Sequence, residues 1–287
     1  SLDTPGQAAG VFAVGPALYV CDGIGDIQIV DASDPEKPQI VSGGVFSNAT
    51  FLAVAGDMAC ATNGSGYSVG LLDVSDPWNP SVLYELNTGA TRVALTDSLL
   101  ALAQGYDGVS LYRPRWDRAP EFLKSVNTGE RASDLAISGD YVFVANGGAG
   151  LAVIDVTTPT QPRLVGGLPL DGFAAGICLV GARAVVAAGL AGLYTVDVSV
   201  PLSPVLVGHL NTTGYSSLVY VSGETAYVAE FTAGIQIVDI GDPANPRLKG
   251  SLNTATNATG VTANRFFLYA TDDRDGLLIA RAQCAGR

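Results

Sequence analysis

Apolar residues in this chain fall in short runs, each closed by glycine, proline or a polar turn, and one run returns from end to end. It reads IQIVD at 27–31, LAVID at 151–155 and IQIVD again at 235–239, and it ends on a charged pivot: Asp31, Asp73, Arg113, Asp155, Asp197, Asp239 and Arg281. The pivot recurs with a period of about 42 residues, the mark of a blade or array architecture. Around each pivot the pattern predicts four short strands. An apolar stretch runs to a Gly-Asp-like turn (54–57, 137–140), and a second run follows (58–63, 141–146). A glycine turn such as Gly147, Gly148, Ala149 and Gly150 leads into the pivot strand, and a last strand comes after a DPxxP segment. Short strands with turn signals at this spacing, and no helical periodicity, describe the blade of a propeller.

The DPxxP segment has a mechanism. Aspartate accepts backbone amides two residues on, and proline fixes φ and removes a donor, so Asp242-Pro243 and Pro246 bend the chain before the fourth strand. Two rings of small residues stand in register at the start of each first strand. One is Ala8, Ala49, Ala90, Ala132, Ala174, Ser216 and Ala258; the next is Ala9, Thr50, Thr91, Ser133, Ala175, Ser217 and Thr259. Close packing at a crowded axis needs small side chains, which makes the first strand the inner one. Closure follows from the ends. Ser1-Leu2-Asp3-Thr4 matches the end of a fourth strand (Ser251-Leu252-Asn253-Thr254), whereas the last repeat runs out after Arg281. The expected fold is all-β: a single domain over 1–287, a seven-bladed β-propeller of four-stranded antiparallel blades whose termini meet in the closing blade.

Segments such as Leu151–Val156 and Ile235–Asp239, followed by DPxxP, are similar to the LVIVD repeat, a propeller-forming unit of bacterial and archaeal proteins. The resemblance covers nearly the whole chain. It implies export or a cell-surface location, and it transfers no catalytic residue. Two repeats depart from it: Arg113 and Arg281 replace the pivot aspartate, and Arg113-Pro114-Arg115-Trp116-Asp117 replaces the DP turn.

Composition narrows the partners. Hydrophobic residues make up 48% against 15% charged, enough for a continuous core. The formal charge of −12 argues against a nucleic-acid partner, which needs clustered Lys and Arg. No apolar run is long enough for a membrane helix. Cys21, Cys60, Cys178 and Cys284 have no metal-ligand spacing and read as small apolar residues, with a Cys21–Cys284 disulfide across the closing blades as an alternative. Four Asn-x-Ser/Thr matches, at Asn48, Asn63, Asn211 and Asn257, read as turn composition.

Candidate chemistry gathers on two faces. The turn between second and third strands shares a face, called upper here, with the loop into the next blade. Second strands end there on Asp22, Asn63, Gln104, Asn146, Ala188, Glu230 and Asp272, either to satisfy loop amides or to form a carboxylate crescent at the axial opening. Asp272, Asp273 and Asp275 before Gly276 suggest a Ca²⁺ turn, although Arg274 opposes it and no later bidentate Glu follows. Nearer the axis Arg92 and Asp134 fall in adjacent blades, as an ion pair or as polar handles of a site that Arg131, Tyr106 and Phe231 complete, with Glu130, Asp107 and Tyr215 nearby. On the opposite face, Trp78 and Trp116 with Arg113, Arg115 and Arg118 form a candidate partner surface, since Trp and Arg dominate binding hot spots.

Catalysis is poorly supplied. The single histidine, His209, excludes a His metal cluster and a Ser-His-Asp triad within one chain. The expected function is a noncatalytic extracellular binding or adhesion module for a protein or glycan, without a required cofactor. Two alternatives stay open: a carbohydrate-active lyase or hydrolase using Glu230, Asp272 and Asp22, and an architectural unit of a larger surface protein.

Overall fold

The structure, a computed structural model, describes residues 1–14 and 17–282. Blade one comprises Gly10–Val14, Ala17–Cys21, Ile27–Asp31 and Gln39–Gly43, paired in sequence order and antiparallel throughout. Five further sheets repeat that plan. The seventh has three strands, Ala258–Ala263, Phe267–Asp272 and Gly276–Arg281, and the N-terminus supplies the fourth position. Leu2 and Leu277 exchange both backbone hydrogen bonds, at 2.8 and 2.9 Å. The predicted closure is therefore observed, and the ring has no open edge between first and last blades.

The core is distributed as seven slabs, one between each neighbouring pair of blades. Val142, Val144 and Ile154 of blade four meet Ala101, Val109 and Leu111 of blade three, while Tyr269 and Leu277 of blade seven meet Leu18, Val20 and Val30 of blade one. This is why the middle strands read as continuous apolar runs rather than alternating ones: both of their faces are covered. Outer strands such as Glu121–Val126 have only one blade neighbour and are mostly exposed. In six blades the third and fourth strands slip register once, as between Val153 and Ile154, and such bulges blunt an outer edge against pairing with other chains.

Two devices lock the inner ring. On the upper face Gly23, Gly105, Gly147, Gly189 and Phe231 each bridge to the chain entering the next blade, at or just before its first strand: Ala49, Ala132, Ala174, Ser216 and Ala258. At the seam, the Thr259 hydroxyl donates to the Ala8 carbonyl at 2.7 Å, and Gly260 packs so closely that a Cβ there would lie 2.7 Å from Gly10 Cα. The pivot aspartates do the turn work expected of them: Asp73, Asp155, Asp197 and Asp239 accept the amide two residues on at 2.8–3.0 Å. Among the described residues no helix is long and apolar enough to cross a membrane. Cys21 is buried, and its proposed pairing with Cys284 lies outside the described residues.

Candidate functional site

In six of the seven blades the side chain at the end of the second strand clamps the loop by which the chain enters that blade; blade five has Ala188 there. In blade one, Asp22 accepts the Thr4 hydroxyl at 2.5 Å and the Gly6 amide at 2.6 Å. Asn63 donates to the Ser47 carbonyl, Gln104 to the Gly89 carbonyl and the Thr88 hydroxyl, and Asn146 to the Thr128 carbonyl. Glu230 accepts the Gly214 amide at 2.9 Å and the Ser216 hydroxyl at 2.6 Å; Asp272 accepts the Thr256 amide at 2.7 Å and hydroxyl at 2.6 Å. The carboxylate crescent is thus turned inward. Asp22, Glu230 and Asp272 are buried, because loop amides shielded from water need acceptors. Burial raises the Asp22 carboxyl despite the hydrogen bonds from Thr4 and Gly6. At Asp272 burial also pushes upward, but the donors from Thr256, Asp275 and Arg274 outweigh it and bring the pKa to about 2.

The acidic turn does not fit the calcium reading. Asp273 accepts the Asn257 side-chain amide at 2.8 Å, and Asp272 Oδ1 takes the Arg274 and Asp275 amides at 2.9 and 3.0 Å. Oxygens committed to protein donors are not the open set of six to eight that Ca²⁺ takes. Among the described residues no group of three His, Cys, Asp or Glu side chains is placed to hold a metal.

At the axis the inner strands enclose a cavity of about 150 Å³, bordered by Phe12, Phe51, Leu135, Leu218, Tyr220 and Asp134 among others. Asp134 is buried. Its Oδ1 accepts the Leu135 amide and its Oδ2 accepts the Ile177 amide of blade five, both at 2.9 Å. Arg92 does not form the expected ion pair with it. The guanidinium lies 4.8 Å from the Phe51 ring centroid and donates to the Thr91 carbonyl at 2.9 Å. Burial raises the Asp134 carboxyl, and Arg92 opposes that only as a nearby charge.

The upper face carries the most solvent-exposed apolar side chains. Ile24 (82%), Leu190 (81%), Tyr67 (79%) and Tyr106 (73%) are the four most exposed large apolar residues described, and all four sit on turns between second and third strands. Tyr106, Asp107 and Arg131 come together in a cleft of about 590 Å³ with Gly66, Thr88 and Thr91, without Arg92, Asp134 or Phe231. Glu130 accepts the Arg131 amide at 3.3 Å. Across the ring Phe231 packs on Tyr215, ring centroids 5.9 Å apart, and holds a left-handed backbone (φ 47°) where other blades place Gly105, Gly147 and Gly189. Sequence reasoning passed over Ile24, Tyr67 and Leu190. Their signal was present: a large apolar residue inside a glycine turn has nothing beneath it to cover.

The opposite face divides. Trp78 is half-buried against the blade one–blade two core, beside the Tyr19 hydroxyl that donates to the Pro77 carbonyl at 2.8 Å. Trp116 is half exposed and Arg118 exposed, while Arg113 and Arg115 both pair with Glu121, at 2.9 and 2.8 Å. Trp78 fills a gap between blades, and the two arginines hold the outer strand of blade three. His209 stacks on Tyr194 with centroids 4.3 Å apart.

Seven sheets closed into a ring around an axial cavity define a β-propeller. The LVIVD repeat family matches residues 5–43, 129–168, 171–212 and 213–254, more than half of the chain, and the chain belongs to that family. No curated protein matches the sequence. Among solved structures it is similar to U3-55K (TM-score 0.76, 11% identity, 98% of this chain and 97% of that one). It is also similar to the WD40 repeats of RRP9 (0.74, 12%, 97% and 95%) and to the computationally designed Ika8 protein (0.71, 9%, 98% and 98%). Identities this low show the shared fold alone.

Proposed function

We propose that this propeller is a noncatalytic binding module of the cell surface or extracellular space that engages a protein partner through its upper face. One observation carries the reading: the four most exposed large apolar side chains, Ile24, Tyr67, Tyr106 and Leu190, occupy equivalent turns on that face. Highly exposed apolar side chains repeated on equivalent turns of a rigid scaffold are suited to contact with a partner, and tyrosine beside arginine, as at Tyr106 and Arg131, is the composition of binding hot spots. The buried carboxylates support binding over hydrolysis, since Asp22, Glu230 and Asp272 spend their acceptor capacity on the entry loops. The location rests on the family resemblance.

The Tyr106–Arg131 cleft supports a glycan as the second reading, because an exposed ring flanked by Thr88, Thr91, Asp107 and Arg131 offers stacking and polar contacts to a sugar. Surface-protein and glycan arrays probed with the wild type, an Ile24→Asp/Leu190→Asp variant, Tyr106→Ala and Trp116→Ala separate these readings. Protein binding lost in the double variant and kept in Trp116→Ala is expected. Binding lost only in Trp116→Ala overturns the upper-face assignment, and glycan binding lost in Tyr106→Ala favours the second reading.

A further inference from the structure

The axial cavity is untouched by the upper-face reading and has a chemistry of its own. At about 150 Å³ it matches the size of apolar protein cavities that take one small ring. Six of the seven inner strands border it, largely with apolar side chains such as Phe12, Leu52, Leu135, Ile177 and Leu218. One wall group is charged.

Asp134 is more than nine-tenths buried, and each of its oxygens accepts a single backbone amide, from Leu135 or Ile177. An ionised carboxylate offers about four acceptor directions, so two stay unused. Among the described residues no cation forms a salt bridge with it; Arg92, the nearest influence, is engaged by the Phe51 ring and the Thr91 carbonyl. Burial raises the Asp134 carboxyl even with the Arg92 charge nearby, so its desolvation is not offset, and a cation with N–H donors relieves that cost twice, by charge and by hydrogen bonding. The aromatic rings of Phe12 and Tyr220 border the same space, and ring faces favour cations.

We propose that the axial cavity binds a small primary alkyl- or arylammonium ion, its nitrogen on Asp134 and its hydrocarbon body among the apolar walls. Free amines of this size, rather than the lysine of a protein chain, fit an enclosed space between inner strands. The site is independent of the partner surface above it.

Titration calorimetry of the full chain at neutral pH with cyclohexylammonium, cyclohexanol and cyclohexanecarboxylate tests the assignment. Cyclohexylammonium is expected to bind at least about tenfold tighter than cyclohexanol, with the carboxylate weakest. Asp134→Asn should bring the ammonium down to the level of the alcohol. Leu218→Trp, which fills cavity space from blade six and leaves Asp134 itself in place, should abolish binding of all three, and it keeps the test decisive if Asp134→Asn does not fold. Equal affinity for ammonium and alcohol, no binding of any probe, or ammonium binding that survives Leu218→Trp overturns the proposal.

Discussion

Arg113 and Glu121 face each other across blade three at 2.9 Å, at the register point where Asp155 faces Arg163 at 3.1 Å in blade four, with the charges reversed. The missing pivot aspartate of blade three is therefore replaced by a swapped cross-strand pair. Arg113→Asp should lower stability by about 0.5–1 kcal/mol, since it removes an exposed pair and sets a carboxylate opposite Glu121. Urea midpoints at low salt and at about 1 M salt check this, because screening should shrink an electrostatic difference. A loss that is the same at both salts would mean that packing of the arginine stem carries the effect.

The clamp at Asp272 predicts a pH signature. Its pKa of about 2 in the fold lies below the ordinary 3.8, so the stability it contributes is fully present above pH 3.8 and is lost as pH falls through about 2. Asp272→Asn should cost about 1–3 kcal/mol at neutral pH, because the Thr256, Arg274 and Asp275 amides lose a charged acceptor. The same variant should flatten the acid limb of a plot of denaturant midpoint against pH. Asp134 works in the opposite sense. Its raised pKa makes its contribution fullest below 3.8 and diminishing as pH rises through the folded value, so Asp134→Asn should leave that acid limb steep.

These two carboxylates show how far a sequence can be read here. Turn chemistry is local: an aspartate two residues before an amide it can reach, with proline following, predicts the pivot turns and through them the blade count. Closure was legible for the same reason, as Leu2 occupies a fourth-strand register. The direction of the second-strand termini was not. A strand covered on both faces has no polar side to which alternation could assign Asp22, Glu230 or Asp272, and the loops they clamp approach only in the folded ring. Arg92 and Asp134 were correctly placed in neighbouring blades, but adjacency of strands does not settle rotamers, and each side chain found a different partner.

Glycine at the seam tests the close approach of the first and last blades. A Cβ on Gly260 would meet Thr271 Oγ1 at 2.6 Å and Gly10 Cα at 2.7 Å, and the second of these is backbone that cannot turn aside. Gly260→Ala should destabilise by about 1–3 kcal/mol through overpacking. Gly148→Ala is the control, with nothing within 4 Å of the added methyl, and should change stability by less than about 0.5 kcal/mol. Equal midpoints for the two variants in urea would show that the seam has slack.

Phe231 is where stability and binding should part. It holds φ 47° at a position that other blades give to glycine, and a left-handed backbone costs a residue bearing a Cβ about 1–2 kcal/mol. Its peptide oxygen still accepts the Ala258 amide at 3.0 Å, so the bridge to blade seven does not depend on the side chain. What the side chain adds is contact with Tyr215 and exposed apolar area on the upper face. Phe231→Gly should therefore raise the thermal midpoint, by an amount corresponding to about 1 kcal/mol, while weakening capture of the upper-face partner. A lower midpoint would show that packing on Tyr215 outweighs the backbone strain. Unchanged partner binding alongside a raised midpoint would place Phe231 outside the contact surface and leave the strain without a functional counterpart.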